Sequence, residues 1–277
     1  MTPTAVTTSY RQTLFPADCL AVAICRELEG LDDALDVGRV VQAIRDIAEG
    51  VSERLGPAAA LGDILFTLND QLFNVLGFRS AGAEETAPSH VLLHRVLRRR
   101  EADPLLLGII YICVGRWLGL PLGGCDFPGH FMVRYHDELG GVIIDPVSGG
   151  VQLQEDDLHA LFRHRFGPKA ISGSARSMLR DIDDRSLVVR LLRRLKQAYL
   201  RLGQYLQALE VQSRLMRMLP DTPNGFRERG QLYELLGCPR AAAEDYSRYL
   251  DLLPDANDGV VLRRRLPLLL GEPVVLH

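Results

Sequence analysis

Sliding the C-terminal third of the chain against itself by 34 residues brings Tyr199 onto Tyr233, Leu202-Gly203 onto Leu236-Gly237 and Ala208 onto Ala242. The same offset brings Leu219-Pro220-Asp221 onto Leu253-Pro254-Asp255. A period of this length belongs to a helix–turn–helix unit. The coincident residues suit one: glycine closes the first helix, alanine lets helices approach, and proline ends the second. A lone helical hairpin buries too little surface to stand by itself, so flanking helices must complete the stack. Residues 186–202 lead into it, and residues 260–270 are apolar enough to cap it.

Upstream, residues 16–78 carry helical periodicity. Asp18 is placed to cap a first helix over 19–28. Val40, Ile44 and Ile47 mark a second, and Leu61, Ile64, Leu65, Leu68 and Leu72 a third. Residues 80–89 are polar, with glycine and proline, and read as a loop. Val91, Leu92, Val96 and Leu97 form a short helix ending in Arg98-Arg99-Arg100. Asp103 is a good N-cap and Pro104 suits the first helical position. The helix they open, 105–118, is apolar nearly all round, as a helix surrounded by protein should be. Gly108 and Gly115 share one of its faces and mark a close approach. Strand patterns follow at 130–135 and 142–145, with a polar turn at 136–141.

Several function classes are disfavoured by composition. A net charge of −3 and a pI near 6.2 give no bulk attraction for nucleic acid or an anionic membrane. The arginine clusters lie beside apolar periodicity, as solvated helix faces do. Residues 105–125 raise the question of a membrane span, but Arg116 interrupts them and Gly119-Leu120-Pro121 ends the helix after about four turns. The five cysteines are scattered, odd in number and without a CxxC, so reduced thiols in a cytoplasmic protein are expected. The N-terminus lacks a basic leader, and the apolar run at 19–25 is flanked by Asp18 and Arg26, so no signal peptide is expected. His90 and His94 share a helix face at i, i+4 but no third ligand is evident, and no metal or cofactor is expected. His159 and His164 read as solvated, and Trp117 as core.

Residues 101–150 carry the chemistry. A Cys-His-Asp hydrolase sets its cysteine at a helix N-terminus, where the dipole and an imidazole stabilise the thiolate. Histidine is base and then acid, and aspartate holds its tautomer. Here the order is a helix start at Asp103-Pro104, then Gly129-His130 opening a strand, then Asp145-Pro146 closing the next. A hairpin turn centred between Asp137 and Glu138 sets His130 opposite Asp145. The helix start has no cysteine; it reads Asp103-Pro104-Leu105-Leu106-Leu107. Cys113 lies about 13–14 Å down that helix and reads as core. Cys125, five residues before His130, is the one weak substitute.

The series Leu97-Arg98-Arg99-Arg100, Asp103-Pro104, Leu118-Gly119-Leu120-Pro121, Phe127-Pro128-Gly129-His130-Phe131, Asp145-Pro146 and Gly149-Gly150 resembles the bacterial transglutaminase-like proteins with C-terminal tetratricopeptide repeats, of the SirB invasion-regulator type. The resemblance covers about residues 60–165 and continues through the repeats. It implies a papain-like α+β core in which His130 and Asp145 take the histidine and aspartate positions. The cysteine position falls at Pro104 or Leu105, so the nucleophile does not carry over. Even the serine of the Asn-Pro-Ile-Ser common in such members is absent.

The expected architecture is therefore α+β and mostly helical. An N-terminal helical part (1–100) leads into a transglutaminase-like core with a small antiparallel sheet (101–165), a linker (166–185) and a tetratricopeptide-repeat array (186–277). The expected function is a non-catalytic protein-interaction or regulatory module that binds a protein or peptide through its cleft and repeats. The alternative is a cysteine-type hydrolase or acyltransferase pairing His130 and Asp145 with Cys125 or another atypical nucleophile. Direct action on DNA is disfavoured by the acidic balance and the lack of a recognition-helix signature.

Overall fold

The computed structural model describes residues 19–82, 87–138, 141–167 and 173–271. Residues 1–18, with the start of the N-terminal helical part and the Asp18 cap, lie outside the described residues, as do parts of the 80–89 loop, the 136–141 turn and the 166–185 linker. Two compact units divide between Leu191 and Leu192.

The first unit opens with helices α1 (Cys19–Leu28), α2 (Val37–Ser52) and α3 (Leu61–Asn69). Asp36 caps α2 by accepting from Arg39 N at 3.0 Å, and Val40, Ile44, Ile47, Ala48 and Val51 form its buried stripe. The third helix differs from expectation. Beyond Asn69 it widens into a π-helical stretch, Asp70–Val75, in which Leu72 is still buried. Arg54, in the turn just beyond α2, grips this stretch through Asp70 (2.5 Å) and Gln71 (3.1 Å). A short strand β1 (Arg79–Ser80) pairs in parallel with β2 (Glu101–Ala102), and α4 (Leu93–Arg99) lies between them in sequence.

Helix α5 (Pro104–Trp117) is the centre of this unit, with every residue from Leu105 to Arg116 buried. Its two glycines mark close approaches as expected. A Cβ on Gly108 would lie 2.4 Å from the Phe131 ring, and one on Gly115 would lie 2.2 Å from Leu122 Cδ1. Gly108→Ala should gain about 1 kcal/mol of helix propensity and lose about 1–3 kcal/mol to overpacking. A net loss in urea unfolding is expected; a stabilised variant would show that Phe131 yields freely.

Five antiparallel strands follow: β3 (Leu122–Phe127), β4 (His130–Tyr135), β5 (Val142–Asp145), β6 (Val151–Leu153) and β7 (Arg180–Ile182), ordered β6-β5-β4-β3-β7. On one face Phe131 and Gly124 meet Gly108 and Leu187. On the other, Cys125, Phe127, Met132, Ile143 and Leu153 pack with Leu158, Leu161 and Phe162 of α6 (Glu155–Phe166). Arg116, which breaks the apolar run of α5, is neutralised in the core. Its guanidinium donates to both oxygens of Asp184 (2.6 and 2.8 Å) and to Leu122 O (2.9 Å).

Among the described residues five helices follow: α7 (Asp184–Arg201), α8 (Tyr205–Met218), α9 (Pro223–Leu235), α10 (Pro239–Leu252) and α11 (Gly259–Leu270). In the second unit the repeat positions behave alike. Ala208 and Ala242 are fully buried, while Gly203 and Gly237 end their helices at φ +68° and +71°. Tyr246, Tyr249, Leu250 and Leu262 form a core that α11 covers with Leu266 and Leu269. The fold is thus α+β followed by a helical repeat array. No helix among the described residues is long and apolar enough to cross a membrane.

Candidate functional site

The N-terminus of α5 is closed by its own cap. Asp103 is fully buried; its backbone N–H donates to His90 O at 2.8 Å and its carboxylate accepts from Leu105 N at 2.9 Å. Pro104 takes the first helical position. The dipole end that would stabilise a thiolate therefore faces a carboxylate already in place.

His130 begins β4 directly opposite Phe127, across the turn made by Pro128 and Gly129 at φ +82°. Asp145 ends β5, and its carboxylate is used locally, accepting from Val147 N (2.9 Å) and Ser148 Oγ (2.6 Å). The register is offset from the expected one. Pairing runs Val133↔Ile144, Arg134↔Ile143, Tyr135↔Val142. Extended by one residue, it sets Met132 opposite Asp145 and leaves His130 a diagonal step away, about 7–8 Å. The cause is the turn: Asp137 Oδ1 accepts from Gly141 N at 2.7 Å, and Gly141 supplies a φ of +77°. The loop thus closes on Gly141 instead of turning tightly at Asp137-Glu138. A shift of two still keeps both residues on one face. By alternation that face is the one carrying Phe127, Met132 and α6, opposite the face on which Phe131 meets α5. Among the described residues no hydrogen bond joins His130 to Asp145.

Cys125 pairs with Met132 and Asp181 in the sheet and is fully buried among the α6-side core residues. Burial pushes its thiol up to about 11, and the same cause takes Cys25 to about 11 and Cys113 to about 12. Cys238 is exposed.

One element of the site escaped sequence reading. Asn69 Nδ2 donates to Gly150 O (2.9 Å), and Tyr111 OH donates to Asn69 Oδ1 (2.8 Å), tying α3, α5 and the Asp145–Gly150 loop together. Tyr111 stacks on Phe73 with ring centroids 6.3 Å apart. Only the Gly149-Gly150 pair hinted at it, since a glycine pair after a strand marks a turn with close approach.

His90 and His94 do not form a metal pair. His90 Nδ1 accepts from Ala87 N at 3.2 Å, while His94 Nε2 meets Asp32 Oδ2 at 3.0 Å. No cluster of three potential metal ligands occurs among the described residues. For Asp32, burial opposes ionisation, but hydrogen bonds from Arg95, Ala34 N and His94 outweigh it and hold the carboxyl at about 2. A depressed carboxyl stabilises the fold above its unfolded pKa, about 3.9, and that contribution is lost as pH falls towards 2. Asp32→Asn should therefore flatten the acid limb of a stability–pH curve between about pH 4 and 2; an unchanged limb would show that the ion pair contributes nothing.

The repeats are also legible against each other. At the 34-residue offset Lys196 corresponds to Gly230 and Gln212 to Tyr246. In the later unit Tyr246 lies against Gly230, where a Cβ would come within 2.7 Å of its ring. In the earlier unit Lys196 Nζ donates to Gln212 Oε1 and Glu228 Oε2, both at 2.7 Å, and Gln212 Nε2 to Gly225 O at 2.9 Å. These groups border a cavity of about 240 Å³ that Arg193 and Asn224 also line.

Comparison with known proteins agrees with this architecture. The model of the transglutaminase-like superfamily matches residues 38–193, over half of the chain. The chain belongs to the transglutaminase-like superfamily. A tetratricopeptide-repeat model matches residues 195–267 of this transglutaminase-like chain. A UPF0162 protein of Xylella fastidiosa is 34% identical over 171 residues, covering 61% of this chain and 61% of that protein. A UPF0162 protein of Pseudomonas aeruginosa is 28% identical over 72% of this chain and 70% of its own length. The protein SirB1 of Salmonella typhimurium is 28% identical over 53% of this chain and 54% of its own. The chain matches about three fifths of the length of its Xylella relatives.

Proposed function

We propose that this transglutaminase-like chain is non-catalytic and acts as a protein-interaction or regulatory module. One observation carries the reading: at the helix start where the superfamily's nucleophile stands, this chain has a buried Asp103 cap followed by Pro104. The buried thiols favour the same reading. Cys125 shares a sheet face with His130, yet burial keeps it protonated at neutral pH. The retained His130 and Asp145 then act as part of a cleft wall, and the tetratricopeptide repeats supply the docking surface.

Within the repeats the reading favours the polar cavity of the earlier unit. The later unit fills the equivalent space with Tyr246 on Gly230, so the fold itself does not require a buried lysine there. Burying a charged network costs stability unless it is fully partnered, and a bound peptide with polar or acidic groups would use it. Arg193 lines this cavity from an exposed position. Arg193→Glu should leave the melting temperature unchanged and weaken binding of an array-selected peptide at least about tenfold, equal to about 1.4 kcal/mol. Undiminished peptide binding by this variant would remove the cavity from the interface. Turnover of ester or amide substrates that His130→Ala abolishes would overturn the non-catalytic reading itself.

A further inference from the structure

At the 34-residue offset the last described helix, α11, repeats α9. A Cβ on Gly225 of α9 would lie 3.1 Å from Met216 of α8, and one on Gly259 of α11 would lie 3.4 Å from Leu250 of α10. Both the glycines and their neighbours are one period apart. Helix α11 therefore sits on α10 as α9 sits on α8, and it is the first helix of a third unit. The next helix, α10, covers one face of α9. Phe226 and Tyr233 pack on the core built around Tyr246, and Gly230 lies against the Tyr246 ring. Arg229 donates to both oxygens of Asp245 at 2.7 Å, and Tyr246 OH donates to Glu234 at 2.6 Å. On α11 the equivalent positions are Val260, Arg263, Arg264, Pro267 and Leu268. Leu262, Leu266 and Leu269 turn into the core, so at about 100° per residue Val260, Val261, Arg264 and Leu268 lie on the opposite side. Among the described residues no helix follows to cover them. Val260, Val261 and Leu268 are 59, 65 and 64% exposed. The last helix of a repeat array needs a polar outer face, and an exposed aliphatic patch there marks an interaction surface.

Charge on this face specifies the occupant. Arg264 stands two periods after Lys196, a cation that Gln212 Oε1 and Glu228 Oε2 meet at 2.7 Å. Arg263 stands one period after Arg229, whose carboxylate partner it lacks; it donates to Pro254 O at 2.6 Å instead. Arg264 has no hydrogen bond or ion pair among the described residues. Helix α11 contains no acidic residue. Two copies packed face to face would set arginine on arginine, a juxtaposition that costs affinity.

We infer that the outer face of α11 docks an acidic amphipathic helix of a partner protein, which takes the place of the second helix of the third unit. Its aliphatic stripe covers Val260, Val261 and Leu268, and its carboxylates bind Arg264 and Arg263. Burial of the aliphatic stripe gives affinity, and the charge-assisted bonds select an acidic helix. The face stands on residues separate from the Arg193 cavity and from His130 and Asp145, so its occupancy is independent of theirs.

The probe is a fluorescent, helix-stapled peptide with the sequence of α10, residues 239–252, which keeps Asp245 for Arg263 and carries Tyr246→Glu to meet Arg264. A second peptide carries Tyr246→Lys at the same place. Titrated into the full chain and read by anisotropy, the Glu peptide should saturate and the Lys peptide should bind at least about tenfold more weakly. In the chain, Leu268→Asp and, separately, Val261→Asp change exposed residues and should each weaken the Glu peptide at least about tenfold with the melting temperature preserved. Arg264→Glu should reverse the order of the two peptides, and Arg193→Glu should alter neither. The inference is overturned if neither peptide saturates, if both aspartate variants bind as the parent does, or if Arg264→Glu leaves the order unchanged. It is also overturned if sedimentation velocity of the chain alone shows a dimer that Leu268→Asp dissolves, since a second copy is then the occupant.

Discussion

Asp184→Ala is expected to destabilise the first unit by about 3 kcal/mol, the low end of the range for breaking a buried ion pair. Arg116 is 1% exposed at its side chain, lies within the otherwise apolar α5, and takes two hydrogen bonds to Asp184. Removing the carboxylate takes both of these bonds from a buried guanidinium and leaves its Nε bond to Leu122 O in place. Asp184 is 35% exposed, so water partly replaces its carboxylate and holds the loss at that low end. Replacing both partners, Arg116→Met with Asp184→Leu, should restore most of the loss, since a well-packed apolar pair substitutes for a buried ion pair at little cost. Urea unfolding of the single and double variants checks this. A single variant within about 0.5 kcal/mol of the parent, the range of an ordinary surface change, would show that Arg116 reaches solvent.

Gly150→Ala is the second large effect. Gly150 has φ +80°, and a Cβ there would lie 2.0 Å from Asn69 Oδ1, the atom that accepts from Tyr111. The left-handed backbone costs an alanine about 1–2 kcal/mol, and displacing a packed group costs about 1–3 kcal/mol more. Gly149 is the internal control. It has φ +74° but nothing within 4 Å of its added Cβ, so Gly149→Ala should show the backbone cost alone. The difference between the two variants, read by urea unfolding, measures the Asn69 contact. Equal losses would show that the Asn69 side chain swings away without cost.

How far the sequence reveals this molecule depends on whether a feature is local. The repeats were legible because Gly203 with Gly237, and Ala208 with Ala242, have the same jobs in two copies. Helix α5 was legible because its cap, its first-position proline and its apolar surround are all nearest-neighbour chemistry. Strand β3 was not, because Leu122–Phe127 is buried at most positions and carries two glycines, which erases the alternation that marks a half-buried strand. The register of His130 against Asp145 depended on a turn closed by a side chain, Asp137 to Gly141, that no propensity rule foresees. The Asn69–Tyr111–Gly150 network joins residues 42 and 81 positions apart, beyond any periodic signal. The pairing of His94 with Asp32 is a contact of the same long-range kind.

The most direct test of the missing-nucleophile reading is the alkylation rate of each cysteine in the folded chain, mapped by mass spectrometry across pH. Cys25, Cys113 and Cys125 should be silent at neutral pH while the exposed Cys238 is labelled. Cys125 should begin to react only as pH approaches about 11, and His130→Ala should leave that profile unchanged. Rapid, selective labelling of Cys125 at neutral pH, lost in His130→Ala, is the result that would contradict a non-catalytic cleft.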